Sequence, residues 1–346
     1  MDHKVTKSGL ILPIIVVAQF FCTSLWFAGN AVLSDIIRVY GLSAAFLGYL
    51  TSAVQLGFIS GTLLFAILSV SDRFSPSKVF FASALAAAAC NAGVAWGRNS
   101  VALILFLRFL AGFFLAGIYP VGMKIVADHY EHPGRSLGFL VGALVSGTAL
   151  PHLLKNFGTQ LSYGYVFGAT SALALAGGTT VYLLVPDGPF RKKGQGISIS
   201  SLPDAFKNRG LTSAAFGYFG YMWELYTFWA FVPVMLTAYK ARYADAHINV
   251  PLYSFLTIAS GALSCAGVGM ISGRSGLKKT AVVCLATSGI CCMLSPFFLF
   301  YPDVHVLMAF LFVWGMSVAA DSPIFSALVA RHAPVTSKGS TLTLVN

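Results

Sequence analysis

Residues 71–78 read Ser-Asp-Arg-Phe-Ser-Pro-Ser-Lys, and this short polar stretch separates two long apolar runs at 45–70 and 79–97. The hydrocarbon core of a bilayer is about 30 Å thick, so a helix that rises about 1.5 Å per residue needs about 20 apolar residues to cross it. Both runs are close to that length. The stretch therefore predicts a turn between two membrane-spanning helices.

The same alternation continues along all 346 residues of the chain. Hydrophobic residues make up 57% of it, charged residues only 10%, and the mean hydropathy is +0.79. An ordinary soluble domain carries about 25% charged residues, so this composition excludes a soluble enzyme or a nucleic-acid binder despite the net charge of +11. We predict an all-α polytopic membrane protein with ten spans, at 10–33, 45–70, 79–97, 101–125, 136–157, 164–185, 211–239, 251–272, 280–300 and 306–330.

The distribution of Lys and Arg between the apolar runs predicts the orientation in the membrane. With the amino terminus in the cytoplasm, fifteen of these residues fall in cytoplasmic gaps and five fall in outer gaps, as the positive-inside rule requires. Lys4 and Lys7 precede the first apolar run, but that run is longer than the apolar region of a signal peptide, about 7–15 residues. We therefore expect an uncleaved first span and a multi-pass protein of the plasma (bacterial inner) membrane with a cytoplasmic amino terminus.

The longest gap divides the chain into two parts. Residues 187–210 contain Arg191-Lys192-Lys193 and a stretch rich in Gly and Ser, a composition typical of a flexible linker. The sequence predicts an N-terminal bundle of six helices at 1–186 and a cytoplasmic linker at 187–210. The remaining residues, 211–346, then hold a C-terminal bundle of four helices and the start of a fifth.

The gaps after the second span of each part are similar to each other. Residues 269–279, Gly-Met-Ile-Ser-Gly-Arg-Ser-Gly-Leu-Lys-Lys, place an Arg at the cytoplasmic exit and Lys a few residues later, as residues 71–78 do. Together with span four and the loop after it, these motifs resemble the Major Facilitator Superfamily over essentially the whole chain. The residues that carry the resemblance are Asp72-Arg73, Gly269, Arg274, Gly276, Lys278, Arg108 with Gly112, and residues 131–138.

The resemblance implies a two-bundle transporter fold with twelve helices, whereas this sequence supplies ten. Residues 338–346 resemble the entry to an eleventh helix, so we interpret the sequence as truncated before its last two helices. Span five has Gly138 and Gly142 but Ala143 where antiporters of the family often carry Pro. The function implied is secondary active transport of a small molecule by alternating access, coupled to protons, with a channel or pore and a non-transporting membrane enzyme as the alternatives.

Three charged residues inside spans are candidates for function, because a charge near the bilayer centre costs about 2.5–3.5 kcal/mol on insertion scales. Glu224 lies near the middle of span seven, where an unpaired carboxylate must be protonated or lie near a cation. This favours a proton carrier over a structural salt bridge. Asp321, beside Pro323, is either a second such acid or the cap of a kinked helix. Arg108 could bind an anionic substrate, gate the bundles by pairing with Glu224, or bond to backbone carbonyls of a neighbouring helix.

Polar and aromatic residues extend this set to a predicted pathway for substrate and protons. Span one carries a polar stripe that lipid cannot satisfy and that must point inward. In the resembled family, spans one, four, seven and ten surround the central cavity. Besides the three charged residues, the predicted pathway contains Gln19, Thr23, Trp26, Asn30, Tyr119, Trp229 and Trp314.

The resemblance also implies a latch at the cytoplasmic side, formed by Asp72, Arg73, Arg135 and Arg274. We expect no catalytic residue, cofactor or metal site, because the acids are scattered singly over distant spans and the Cys and His residues lack ligand spacing. The expected partners are a small-molecule substrate, the proton and the lipid bilayer, and we expect a monomer that binds no nucleic acid.

Overall fold

A computed structural model describes residues 8–96, 99–131, 134–158, 162–191, 207–243 and 245–332. These ranges form helices joined by short turns and contain no strand, so the prediction of an all-helical chain is confirmed. The chain separates into two compact units, Met1–Ile197 and Ser198–Asn346. Seven of the described helices are long and apolar enough to cross a membrane, and Gly9–Thr23 and Val250–Cys265 are shorter apolar helices.

The first unit contains ten described helices. They are α1 (Ser8–Thr23), α2 (Ala28–Ala31), α3 (Leu33–Tyr40), α4 (Phe46–Ile67), α5 (Val70–Arg73), α6 (Pro76–Val94), α7 (Val101–Leu115), α8 (Tyr119–His129), α9 (Gly134–Phe157) and α10 (Gly164–Leu184).

The second unit contains four described helices. They are α11 (Arg209–Arg242), α12 (Val250–Ser275), α13 (Leu277–Leu299) and α14 (Val304–His332).

The first predicted span is broken rather than continuous. Helix α1 ends at Thr23, residues 24–27 form turns, and α2 and α3 follow. Helix α3 extends beyond the predicted end of the span because it is amphipathic, with Ile36 buried and Asp35 and Arg38 among its polar residues. The apolar run alone therefore could not show either the break or the extension.

The fourth predicted span is also interrupted. Residues 116–118 form a turn between α7 and α8, just before Tyr119 and Pro120. Proline has no backbone N–H and its ring clashes with the preceding helical turn, so a helix readily stops there and restarts with the proline in its first turn.

Glycines allow close helix packing within each unit. In the first unit, α4 and α7 pack along each other, and a Cβ added at Gly112 would overlap the carbonyl oxygen of Val54. In the second unit, α12 packs against α14, and a Cβ at Gly315 would lie 2.6 Å from the carbonyl oxygen of Thr257. Small residues at such contacts let helices approach where lipid supplies no hydrophobic driving force.

Candidate functional site

Arg108 is fully buried in the first unit, where its guanidinium group is bonded on two sides. Its Nη2 donates to the carbonyl oxygens of Leu25 at 3.0 Å and Trp26 at 2.6 Å, and its Nη1 donates to Oδ1 of Asn91 at 2.7 Å. The guanidinium carbon lies 5.8 Å from the centre of the Phe167 ring. Among the described residues Arg108 forms no ion pair, and its Nε has no hydrogen-bond partner.

The acceptors of Arg108 explain the break in the first span. Leu25 and Trp26 lie in the turns between α1 and α2, where the backbone carbonyls lose their helical partners. A carbonyl without a partner is costly in a membrane interior, and Arg108 supplies donors to both. Of the roles that the sequence left open for Arg108, its contacts within this unit correspond to bonding to the backbone carbonyls of a neighbouring helix.

Asn91 is the residue that holds Arg108 from the other side. It is fully buried in α6, and its Nδ2 lies within hydrogen-bond distance of the carbonyl oxygen of Phe167 and of the hydroxyls of Thr170 and Ser171, at 2.9–3.0 Å. Sequence reasoning missed Asn91. The signal in the sequence is of the same kind as for the charged residues: a polar side chain, here an amide, in the middle of an apolar run.

The predicted polar stripe of span one is buried in the first unit. Thr23 donates to the carbonyl oxygen of Gln19 at 2.8 Å, and Asn30 donates to Oγ1 of Thr51 at 2.9 Å. The side-chain amide of Gln19 is enclosed without a hydrogen-bond partner and lies against Gly122 of α8. The Trp26 ring packs on Phe58, 4.6 Å between centres, and Tyr119 is buried at the start of α8.

Two carboxylates of the second unit lack such partners. Asp321 is fully buried in α14, and neither of its carboxylate oxygens has a hydrogen-bond partner. Glu224 is half-buried in α11, and its Oε1 is enclosed without a hydrogen-bond partner. The two acids lie within electrostatic range of each other, with the Cys284 thiol beside Asp321 and Ser288 beside Glu224. The structure thus brings together two candidates that the sequence treated as separate.

Several aromatic rings lie on the same two helices as these acids. Tyr221 stacks on Phe325 at 5.8 Å, one helical turn from Asp321 along α14. The predicted pathway residues Trp229 and Trp314 are both buried; Trp229 packs on Tyr226, and Trp314 packs on Phe228. The Nε1 of Trp314 is enclosed without a hydrogen-bond partner.

The predicted latch residue Asp72 pairs within its own unit. Lys124 Nζ lies 3.0 Å from Oδ1 of Asp72 and 3.5 Å from Oδ1 of Asp128. Arg73 is exposed, and the side chains of Arg135 and Arg274 lie outside the described residues. Asp128 is a local partner, four residues after Lys124, whereas Asp72 comes from a distant part of the chain and no local spacing predicts it.

The segment after α10 extends this cluster of charged residues. Arg191 pairs with Asp187 and donates to the carbonyl oxygen of Phe74 at 2.7 Å, while Ser75 donates to Asp187 at 2.6 Å. These contacts fasten the beginning of the predicted linker to the loop before α6. Within the described ranges, His, Cys, Asp and Glu form no group of three that could hold a metal ion.

Comparison with known proteins identifies the class of this architecture. The profile of the Major Facilitator Superfamily matches residues 15–346, and the chain belongs to that family. The fold agrees with this: a bacterial homologue of the human lysosomal transporter Spinster, in an inward-facing and unoccupied conformation, has a TM-score of 0.69 at 14% identity and covers 98% of this chain and 78% of its own. The proton:xylose symporter XylE, bound to 6-bromo-6-deoxy-D-glucose, has a TM-score of 0.67 at 16% identity, with 98% and 86% covered.

Sequence relatives carry transporter names. The efflux pump FUBT of Fusarium oxysporum is 27% identical over 209 residues, which are 56% of this chain and 35% of that protein. The niacin transporter NiaP of Acinetobacter baylyi is 28% identical over 173 residues, 42% of this chain and 37% of that protein. The matched part of this chain thus spans about a third of the length of these relatives.

Proposed function

We propose that this protein is a secondary active transporter that carries a small organic molecule across a membrane by alternating access and couples this movement to protons. Membership of the Major Facilitator Superfamily and relatives named as efflux pumps and a niacin transporter support transport. The observation that carries proton coupling is the pair of acids Glu224 and Asp321, which lie in the predicted spans seven and ten and form no ion pair among the described residues. Such carboxylates mark proton paths in transporters.

The substrate contact in this proposal is aromatic and polar rather than ionic. Trp229 and Trp314 offer ring faces and Gln19 offers an amide without a hydrogen-bond partner. Arg108 has the separate part of holding the bent first span, because pairing with Glu224 would require it to leave acceptors in its own unit. Asp72 and Arg73 belong to a cytoplasmic latch, together with Arg135 and Arg274.

The topology in this proposal has the amino terminus in the cytoplasm of a bacterial cell, two bundles joined by the 187–210 linker, and a monomer in the plasma membrane. Single cysteines replacing Arg38 and Arg73 in a cysteine-free chain test the orientation, since both positions are exposed. A membrane-impermeant thiol reagent should label position 38 and spare position 73 in intact cells. The reverse pattern would invert the topology.

Proton coupling is tested in proteoliposomes. A thermal-stabilisation screen that includes niacin and xylose first selects a ligand, and a pH-sensitive dye then records proton movement during its uptake. We expect uptake driven by a pH gradient in the wild type and only exchange of ligand in Glu224→Gln, with Asp245→Asn as a control at an exposed loop position. Full proton-driven accumulation by Glu224→Gln together with Asp321→Asn would refute the proposal.

A further inference from the structure

We propose that one end of the second unit binds an anionic phospholipid, with the headgroup on a cluster of exposed cations and an acyl chain along α13. This cationic end consists of Arg209, Lys278, Lys279 and Arg331, all of which are exposed. The inference concerns the lipid that contacts the protein in the membrane. It goes beyond the proposed function and does not depend on the transport of any substrate.

The course of the helices brings these four cations to the same end of the unit. Arg209 begins α11, the two lysines lie in the first turn of α13, and Arg331 lies in the last turn of α14. The start of α11 meets the end of α14 directly, because Asn208 Nδ2 donates to the carbonyl oxygen of His332 at 3.4 Å. Helix α13 leads into α14 through a short joint and packs against it, so α13 begins at the end where α14 finishes.

Within the described part of the second unit, no acidic side chain balances the charge of the cationic end. Glu224 and Asp321 lie about 15 Å or more from it along their helices. Asp245 and Asp303 belong to the joints at the opposite end of the unit. Every ion pair among the described residues lies in the first unit. The cationic end therefore attracts an anion from outside the chain.

Helix α13 continues from the cationic end as an exposed apolar stripe. Only 11% of its apolar stretch is buried within the chain, against 39–56% in the other six helices that are long and apolar enough to cross a membrane. A helix turns by about 100° per residue, which places its exposed large apolar side chains within about 60° of the direction of Lys279. These side chains are Val282, Val283, Ile290, Met293, Leu294 and Phe297.

The charge and the length of this surface match a lipid of one leaflet. Lys279 and Ile290 are about 16 Å apart along the helix axis, and half of a hydrocarbon core about 30 Å thick is about 15 Å. A phosphate group at Lys279 therefore places an acyl chain along the stripe as far as Ile290. Cations at the head of an apolar stripe complement a molecule with an anionic head and an apolar tail, and basic groups beside membrane helices bind lipid headgroups in this way.

The opposite end of the second unit has a different charge balance and supplies a control. There two cations, Lys240 and Arg242, accompany the two acids Asp245 and Asp303. The guanidinium carbon of Arg242 lies 4.6 Å from the centre of the Phe300 ring. Lys240 is exposed, so its replacement changes the net charge of the unit without touching the cationic end.

Native mass spectrometry of the purified chain in detergent tests the proposal. Phosphatidylglycerol and phosphatidylcholine with the same acyl chains are added separately, and the bound fraction is measured. We expect one tightly bound phosphatidylglycerol and much weaker binding of phosphatidylcholine. Replacing both lysines, Lys278→Gln with Lys279→Gln, should weaken the binding of phosphatidylglycerol about 25-fold, because each cation contributes about fivefold. The control Arg38→Gln with Lys240→Gln removes two exposed cations elsewhere and should bind as the wild type does.

Two further ligands separate the headgroup from the acyl chain. Dihexanoyl phosphatidylglycerol, which has the same headgroup, should bind at least about tenfold more weakly because its chains bury less apolar surface. Glycerol phosphate should not displace the long-chain lipid, and displacement would assign the site to a soluble anion and refute the proposal. Equal binding of the two long-chain lipids, or equal losses in the two double variants, would refute it as well. The comparison of lipids on the wild type requires no variant to fold, and no substrate enters the assay, so the result is independent of the proposed function.

Discussion

In the first unit a buried guanidinium donates to three acceptors, whereas in the second unit the buried Asp321 and one enclosed oxygen of the half-buried Glu224 have no hydrogen-bond partner. Arg108 and Asp321 lie in helices that are long and apolar enough to cross a membrane, where an unsatisfied charge is costly. In the first region Asn91 and two carbonyl groups accept hydrogen bonds from Arg108 and hold its charge in place. The second region has no comparable bonds, and this difference is the basis for proposing that its acids carry protons.

A glycine and a proline recur with the same spacing in the two regions, although Pro120 lies at the start of a new helix after a turn and Pro323 lies inside the continuous helix α14. Gly112 precedes Pro120 by the same number of residues as Gly315 precedes Pro323. Each glycine lies against a carbonyl oxygen of a neighbouring helix, Val54 in one unit and Thr257 in the other. The glycine of each unit allows close helix packing, whereas the buried charged side chains of the two units differ in their hydrogen bonds.

Replacing Arg108 should cause the largest loss of stability among the variants considered. Arg108→Met fills a similar volume but removes the three hydrogen bonds that Arg108 donates to Asn91 and to the carbonyls of Leu25 and Trp26, so we expect a loss of about 3–5 kcal/mol in the free energy of unfolding. Thermal unfolding of the purified chain measures this loss. Exposed Arg38→Met is the control. A melting curve for Arg108→Met that matches the control would show that the three bonds do not stabilise the first unit.

The glycine contacts should give the next largest effect. Gly112→Ala forces a methyl group into the carbonyl of Val54, closer than the 2.6 Å contact that Gly315→Ala would make with Thr257. We expect a loss of about 2–3 kcal/mol for Gly112→Ala and a smaller loss for Gly315→Ala. Gly48→Ala, at a helical position with open space, should cost nothing. Equal melting temperatures for all three variants would contradict this order.

The contributions of Asn91 and Arg108 to the free energy of unfolding should be coupled. Asn91→Ala removes one acceptor of the guanidinium and one donor to α10, and we expect a loss of about 2 kcal/mol. A double-mutant cycle with Arg108→Met should then show an interaction energy of about 1 kcal/mol or more. Additive losses would mean that the two residues stabilise the unit independently.

The ion pair between Lys155 and Asp35 in the first unit should contribute less to stability. Lys155 of α9 pairs with Asp35 of α3, and both side chains are mostly buried. Lys155→Met should cost about 1 kcal/mol, more than an exposed pair. Arg38, which also contacts Asp35 but is largely exposed, provides the matched substitution Arg38→Met with no measurable loss. A larger effect at Arg38 than at Lys155 would reverse their roles.

The second unit should respond in the opposite direction. Asp321→Asn removes an acid that makes no ion pair or hydrogen bond, so we expect stability at neutral pH to be unchanged or raised by up to about 1 kcal/mol. The same melting assay measures it. A loss comparable to that of Arg108→Met would mean that Asp321 is a structural residue like Arg108.

The helices themselves were predictable because membrane length and hydropathy leave few choices. Nine of the ten predicted spans correspond to helices with shifted ends or, in span four, to a pair of helices. The stop before Pro120 has a local signal in the proline itself. The break at residues 24–27 has none, because its cause is Arg108, which lies far away in the sequence.

The candidate site was predictable only residue by residue. A charge or amide in an apolar run is visible in the sequence, which is how Arg108, Glu224 and Asp321 were found. Their partners depend on which helix faces which. The bond between Arg108 and Asn91, the proximity of Glu224 to Asp321, and the pairing of Lys124 with Asp72 all join different helices, and no local spacing encodes them.

Arg108 bonds to the turn after α1 and to Asn91 of α6, and this has a consequence for biosynthesis. When α7 enters the bilayer, its arginine needs the turn at Leu25 and Trp26 and the amide of Asn91 beside it, and both precede it in the chain. The span that carries Arg108, Val101–His129, also has the highest mean hydropathy of the seven, which favours its partition into lipid despite the charge. The acceptors are therefore synthesised before the donor. In a chain whose translation has stalled after α7, Leu25, Trp26 and Asn91 are already present to accept hydrogen bonds from Arg108.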